Sequence, residues 1–150
     1  MKLLKLIFLV FLLIGCNTKE LVAQELRNEV IIENNVFKVW YSEVLEQPVK
    51  LIYTSTNRVK NVDRGNTDFH KEKDVHTSDK HDYYRNPYDK GHLAPAATYS
   101  DSQENLYTTF SYLNCTLQQQ DLNRGAWRFL EAEEREWDDS EHLTITIENI

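Results

Sequence analysis

Cysteine, positive charge and long apolar runs are all scarce in this 150-residue chain. The 24 acidic side chains outnumber the 17 basic ones and give a net charge of −7. This charge counts against a passive nucleic-acid-binding protein, because such proteins are usually basic, but it does not exclude an enzyme with cations local to its site. The apolar run at residues 6–14 is too short for a transmembrane helix, which needs about 20 residues.

The first 16 residues have the pattern of a secretory signal. Lys2 and Lys5 precede the apolar run, as in the positively charged start of a signal peptide. The run ends in Leu-Ile-Gly-Cys, and this sequence, which ends at Cys16, resembles a bacterial lipobox. We therefore expect Cys16 to be lipidated and to become the first residue of the mature protein. An ordinary signal peptide with a chance cysteine is the alternative.

Lipidation at Cys16 predicts an exported lipoprotein held on the outer membrane or cell surface, whereas an ordinary signal predicts a secreted or periplasmic protein. Residues 17–28 are polar and mixed in charge and suit a tether between the lipid and the domain. Cys115 then has no intramolecular partner. Because it lies between Leu113 and Leu117, we expect it to be a small buried apolar residue.

Residues 29–150 are enough for one domain, and their pattern predicts the α+β class. Alternating β-branched and aromatic residues predict a hairpin around an Asn-Asn turn, a third strand after Pro48 and further strands near the end. The predicted strands are residues 30–32, 36–41, 49–54, 108–113 and 143–147. No internal repeat or low-complexity segment is visible.

Two helices and one long loop complete the predicted domain. Residues 100–104 have the Ser and Asp capping pattern of a helix start. Residues 119–137 form the clearest helix, because apolar side chains recur at helical spacing and no proline interrupts them. Residues 55–88 are polar without a clean period, and a loop of this length in a compact domain is usually functional or mobile.

The sequence Asp-Lys-Gly-His-Leu-Ala-Pro at residues 89–95 places a histidine in a turn-like segment. An imidazole with a pKa near its usual value of about 6.5 is mostly neutral at pH 7, so His92 could accept a proton from water. Asn123 offers an amide oxygen to a hard cation such as Mg²⁺, which takes oxygen ligands and keeps several waters. Taken singly, His92 could be structural, and Asn123 could bond its own helix backbone.

Glu131 lies eight residues after Asn123. On one helix their Cα atoms would be about 12 Å apart along the axis and about 80° apart around it. Over that span the two side chains cannot easily share the inner coordination sphere of one metal ion. They could instead hold one hydrated ion between them, Asn123 directly and Glu131 through a water. Arg135 follows Glu131 by four residues, which is the spacing of an ordinary helical ion pair, and Glu131 by itself could be a solvated helix acid.

These motifs together resemble the DNA/RNA non-specific endonucleases, the ββα-metal nucleases of the endonuclease G type. The resemblance is densest from residue 88 to residue 135. It implies a ββα-metal core with an antiparallel sheet and a metal-binding helix at about 119–137. It also implies the following roles: His92 as general base, Lys90 where the family usually has Arg, Asn114 ordering the site loop, Asn123 on the metal, Glu131 in its outer sphere and Arg135 neutralising phosphate.

Two further positions belong to the same resemblance. The family pattern Asn-x-x-Pro-Gln-x-x-x-Leu-Asn is present from Asn114 to Asn123 with Gln118 kept and Leu117 in place of the proline. Arg64, in the long loop, is a weaker candidate for a cation that meets the substrate.

The resemblance predicts Mg²⁺-dependent hydrolysis of DNA and RNA without sequence specificity, with Mn²⁺ as a possible substitute. The expected partners are nucleic acids and, through Cys16, a lipid membrane; the oligomeric state stays open. Family domains continue beyond this length, so we expect the C-terminal part to be missing. A truncated, catalytically silent nuclease-like lipoprotein is the main alternative. A third possibility is a surface lipoprotein with a purely structural role. The joint spacing of the motif residues would then be a coincidence.

Overall fold

A computed structural model describes residues 29–55, 59–137 and 142–149. The predicted signal peptide, Cys16 and the tether lie outside these residues. Within them, no helix is both long enough and apolar enough to cross a bilayer. The described elements follow in the order β1 (Glu29–Glu33), β2 (Phe37–Ser42), β3 (Gln47–Ser55), β4 (Asp89–His92), α1 (Gln103–Thr109), a 3-10 turn (Tyr112–Asn114), β5 (Cys115–Gln118), a π-helical turn (Leu122–Trp127), α2 (Arg128–Trp137) and β6 (Leu143–Glu148).

Four strands form an antiparallel sheet in the order β1-β2-β3-β6. The Asn34 carboxamide closes the first hairpin by accepting hydrogen bonds from the backbone N–H groups of Val36 and Phe37, both at 2.9 Å. The predicted hairpin, third strand and last strand are confirmed. Pro48, expected to mark a break, instead lies inside β3 opposite Tyr41, where the register with β2 shifts.

Alternation along β2 and β3 sends one set of side chains into the core. Val39, Tyr41, Leu51 and Tyr53 are at most 2% exposed. Trp40 lies on the opposite face of the sheet, where two lysine ammonium groups are positioned over its ring. The core therefore lies on one face of this sheet, between the sheet and the chain that follows β3.

A second, two-stranded sheet pairs β4 with β5 in antiparallel register, so that Gly91 faces Thr116. Gly91 matters here for space, since a Cβ at this position would overlap the side chain of Gln118. The missing side chain of Gly91 makes room for Gln118, which is buried.

The strand expected at residues 108–113 is wrong, because this stretch is the end of α1 followed by the 3-10 turn. Residues 109–113 are all buried, so they lack the alternation of buried and exposed side chains that marks a half-buried strand. The Ser102 hydroxyl caps α1, as predicted for a helix start, by accepting from the Asn105 N–H at 3.1 Å.

The helix expected at 119–137 is present but interrupted. Gly125 has φ −109° and ψ −105°, which are not helical, so a π-helical turn precedes α2. The apolar stripe used to predict the helix is largely exposed, and Phe129 is 63% exposed. Trp127 packs against the core, and the buried residue of α2 is Glu134, which accepts from the Tyr53 hydroxyl at 2.5 Å.

The long loop is confirmed as irregular over its described residues 59–88, with turns and one isolated bridge. His70 makes that bridge with Ser111, and its ring stacks on Tyr107 at 4.0 Å. His70 is thus held by packing rather than being a plain surface residue. The loop is fixed against α1 and the 3-10 turn where it passes β4.

Candidate active site

The long loop, β4, the π-helical turn and α2 enclose a cleft of about 940 Å³. Among its lining residues are Lys60, Arg64, Lys90, His92, Asn123, Arg124, Arg128 and Glu131. Four of the six residues to which the resemblance assigns a role therefore meet in one place, together with the weaker candidate Arg64, although up to 41 positions separate the four in the sequence. Five basic and two acidic side chains line the cleft, so the cleft has an excess of positive charge in a chain of net charge −7.

His92 ends β4, and its ring is held between aromatic side chains. The Phe69 ring lies 4.5 Å away and the Phe110 ring meets it edge-on at 4.7 Å. Trp127 of the π-helical turn donates from Nε1 to the His92 carbonyl oxygen at 3.1 Å and ties this turn to β4. The imidazole Nε2 is buried with no hydrogen-bond partner among the described residues, so its hydrogen-bonding capacity is unused.

Burial lowers the pKa of His92 to about 3, with smaller effects in the same direction from Arg64 and Lys90. The imidazole is therefore neutral at pH 7 and can accept a proton. At this pKa it is a weak base, and an anionic phosphate bound between the two cations would raise the pKa by favouring the charged form.

Asn123 is oriented by a carboxylate from β4. Its Nδ2 donates to Asp89 Oδ2 at 3.0 Å, so the amide nitrogen is occupied and the amide oxygen is the end left for a ligand. Asp89 is itself held by Arg124, which donates from Nε at 2.8 Å and from Nη2 at 2.7 Å. Arg124 and Asn123 together keep the pKa of Asp89 below its usual value, so the orienting group stays ionised.

Glu131 lines the same cleft from the first turn of α2. Burial raises the pKa of its carboxyl to about 7; Arg135 lowers it and Glu134 raises it to smaller extents. A carboxyl with this pKa gains or loses a proton near neutrality. A cation in the cleft would favour the ionised form.

These residues fit a hydrated hard cation rather than a caged one. No group of three or more His, Cys, Asp or Glu residues that could hold a metal occurs in the described parts of the chain. Mg²⁺ needs no such cage, because it often takes one or two protein oxygens and keeps several waters. The amide oxygen of Asn123 and the nearby acid of Glu131 supply that kind of donor set.

Lys90 and Arg64 bring positive charge to the cleft from different elements. The Lys90 ammonium forms an ion pair with Asp68 of the long loop and lies 5.6 Å from the centre of the Phe69 ring. The Arg64 guanidinium lies 4.8 Å from the centre of the Phe110 ring. Both cations thus rest on rings that also touch His92.

Asn114 and Arg135 do not line the cleft. Asn114 is completely buried; it accepts from the Ala94 N–H at 2.7 Å and donates to the Ala94 and Thr109 carbonyls, both at 2.9 Å. It therefore holds the loop after His92 and cannot touch a substrate. Arg135 lies on α2, where its charge lowers the pKa of Glu131 and Glu134.

Sequence reasoning missed four residues that shape the cleft: Asp89, Trp127, Asp68 and Phe69. Asp89 stood in the histidine motif, so its place beside a candidate base was a usable signal. Trp127 looked like one more apolar helix residue, and its N–H bond to β4 could not be seen. The last two lie more than 20 residues before His92 in an irregular loop, where no local pattern marks them.

Residues 18–149 match the family described as DNA/RNA non-specific endonuclease. Mitochondrial endonuclease G of Bos taurus is 36% identical over 90 residues, which are 58% of this chain and 28% of that protein. The Homo sapiens protein of the same name is 37% identical over 91 residues, 59% of this chain and 29% of its own length. The chain thus aligns with less than a third of these curated relatives.

A solved structure has a similar fold, with a TM-score of 0.71 at 26% identity over 77% of this chain and 51% of the other. It is described as the crystal structure of the EndoG/EndoGI complex, which shows a mechanism of EndoG inhibition. The likeness confirms the predicted α+β class and the ββα-metal architecture.

Proposed function

Since the chain belongs to the DNA/RNA non-specific endonuclease family, we propose that it hydrolyses phosphodiester bonds in DNA and RNA without sequence specificity. The observation that carries the proposal is the meeting of His92, Asn123 and Glu131 in one cation-lined cleft. A neutral imidazole, oxygen donors for a hard cation and fixed positive charges are the groups that this hydrolysis needs.

Each residue has a defined part in the proposed reaction. Lys90 and Arg64 bind the phosphate and hold it beside the imidazole. His92 accepts a proton from water at Nε2 as the water oxygen attacks phosphorus in line. The bond from phosphorus to the opposite ester oxygen breaks, and the leaving sugar oxygen takes a proton from solvent water. A bound Mg²⁺, for which Mn²⁺ could substitute, supplies Lewis-acid stabilisation of the charge that develops on the phosphate. Asn123 would hold it directly and Glu131 through a water, while Arg135 favours the ionised form of Glu131.

The test measures cleavage of plasmid DNA and of RNA by the purified full chain. We expect cleavage with Mg²⁺ or Mn²⁺, loss of it with EDTA and recovery when the cation is restored in excess. Cleavage that EDTA leaves unchanged would contradict the metal requirement. A wild-type protein without activity under all these conditions would contradict the enzymatic proposal.

The base is tested by His92→Ala, with His142→Ala as the matched control because His142 is exposed and outside the cleft. Loss of a general base lowers the rate by about 10²–10⁴-fold. The control variant should retain the wild-type rate. Near-wild-type activity in a folded His92→Ala protein would assign the base to another group.

A silent nucleic-acid-binding protein is the second candidate. The observation that favours it is the pKa of about 3 at His92, which makes the imidazole a weak base. Fluorescence anisotropy with labelled DNA in EDTA separates the two candidates. Binding by the wild-type protein without any cleavage in Mg²⁺ would favour the silent protein.

We also propose lipidation at Cys16, on the evidence of its lipobox-like sequence alone. The mature protein would then begin at Cys16 and partition with membranes, anchored on the outer membrane or cell surface. Intact mass spectrometry of the membrane fraction tests this, with Cys16→Ser as the comparison. A mature protein that starts later and carries no acyl mass would indicate a soluble exported protein.

A further inference from the structure

Residues 68–70 of the long loop pass directly beside β4. His70 donates from its backbone N–H to the Phe110 carbonyl at 2.9 Å and accepts from the Tyr112 N–H at 3.0 Å. These two bonds fix the segment although the loop around it is irregular. The two residues before His70 are therefore held in place beside Lys90 and His92.

Asp68 uses this position to hold Lys90. Its Oδ1 accepts from the Lys90 ammonium and also from the Phe69 backbone N–H, the latter at 2.8 Å. The carboxylate is thus fixed by backbone before it meets the lysine. The Asp68 side chain is 67% exposed, and pairs this exposed contribute only about 0–1 kcal/mol to stability. The Asp68–Lys90 pair therefore matters more for the position of the ammonium than for the stability of the fold.

Lysine at position 90 has a particular need for such a partner. Arginine has a planar fork that fixes its direction toward a phosphate, whereas lysine is a point charge on a flexible four-carbon stem. Phe69 limits the stem from one side, since its ring lies 5.6 Å from the ammonium and 4.5 Å from the His92 ring. Asp68 supplies the missing constraint on direction.

We propose that Asp68 is a positioning residue that fixes the Lys90 ammonium beside His92, so that an entering phosphate meets a preset cation. The inference rests on the proposed function and adds a residue to it. An ammonium has three N–H donors, so the bond to Asp68 leaves two for a phosphate. If the carboxylate merely blocked Lys90, its removal would raise the activity, whereas removal of a positioning residue would lower it.

The first test compares Asp68→Asn with Asp74→Asn. Asp74 is exposed in the same loop, so the control makes the same change of charge. We expect kcat on plasmid DNA to fall about tenfold in Asp68→Asn, with partial recovery in Asp68→Glu and no change in the control, because misplaced binding groups slow the chemical step. A higher kcat or a lower KM in Asp68→Asn would show that Asp68 blocks the site and would overturn the proposal.

The second test places Asp68→Asn in a Lys90→Met background. If Asp68 acts through Lys90, its removal should cost nothing further there, within about twofold, because a double-mutant cycle isolates the interaction between the two side chains. An equal loss in both backgrounds would show a purely structural role for Asp68 and would overturn the proposal.

A third measurement needs no turnover. The ammonium protons of an ion-paired lysine exchange slowly with water and give a ¹H–¹⁵N signal, which Lys90→Arg would remove and so assign. We expect this signal in the wild-type protein and in Asp74→Asn, and its loss in Asp68→Asn. An active wild-type protein without the signal would overturn this inference alone. A wild-type protein with the signal but no activity would instead overturn the proposed function, and with it the pair's part in that reaction.

Discussion

Asp89 is hydrogen-bonded to more polar groups of the cleft than its place in the histidine motif suggests. It accepts from the Asn123 amide and from two nitrogens of Arg124. The hydrogen-bond partner of a side-chain amide decides whether its oxygen or its nitrogen faces a ligand. A single carboxylate on β4 therefore sets the direction of the proposed metal ligand on the π-helical turn.

This role of Asp89 predicts a loss of metal affinity in Asp89→Ala. Removal of the partner that orients a ligand typically costs 10–100-fold in affinity, so we expect the dissociation constant for Mn²⁺, measured by electron paramagnetic resonance, to rise by about that factor. Asp121→Ala removes an exposed carboxylate just before the same turn and should leave it unchanged. Equal affinities in the two variants would show that Asp89 does not orient Asn123.

At the scale of elements, the helical segment is joined to each of the two sheets by a specific hydrogen bond. The Trp127 indole bonds the end of β4, and the Tyr53 hydroxyl bonds Glu134 from the large sheet. Both contacts fall on the inner side of the helical segment, which also carries Glu131 and Glu134, whereas Glu133 and Glu136 are exposed. The irregular backbone at Gly125 separates the turn that carries Asn123 from the helix that carries Glu131.

The pairing of β4 with β5 predicts a specific cost for Gly91→Ala. The new methyl group would overlap Gln118, and overpacking of this kind costs about 1–3 kcal/mol. Urea unfolding should show this loss of stability. The double variant with Gln118→Ala should recover most of it, because the second change empties the space. A double variant as unstable as Gly91→Ala would mean that the glycine serves the backbone instead.

At the scale of the whole molecule, the raised pKa of Glu131 links stability to pH. The folded pKa of about 7 lies above the usual value of 4.5, so the folded state binds the proton more tightly. The stabilisation from this group is fully present below pH 4.5 and is lost as pH rises through 7. A buried carboxylate is thus a cost above neutrality that a bound cation would offset.

Thermal and urea unfolding between pH 5 and pH 8 test this linkage without Mg²⁺. Relative to Glu131→Gln, the wild-type protein should lose about 2–3 kcal/mol over this range, whereas Glu133→Gln on the exposed side of the same helix should follow the wild type. Added Mg²⁺ should stabilise the wild type more at pH 8 than at pH 5, because a ligand stabilises the state that binds it. A Glu131→Gln protein with the wild-type pH dependence would contradict the assignment.

Local pattern by itself determined the hairpin closed by Asn34, the third strand, the start of α1 at Ser102 and the last strand. Alternation, capping residues and turn residues are decided by near neighbours, and the family resemblance added which side chains to follow. Residues 108–113 were predicted wrongly because alternation over only six residues is too short to distinguish a strand from the end of a helix. The inward-facing carboxylates of α2 were hidden for a similar reason, since an apolar stripe does not say which face is covered.

Only the tertiary structure decided which groups meet. The approach of Asp68 to Lys90, of Asp89 to Asn123 and of Trp127 to His92 depends on where a long loop and an irregular helix lie against β4. Such contacts join positions 22 to 35 residues apart and leave no periodic trace along the chain. Burial likewise set the pKa of His92 and Glu131, because desolvation is a property of the packed cleft and not of a residue or its neighbours in sequence.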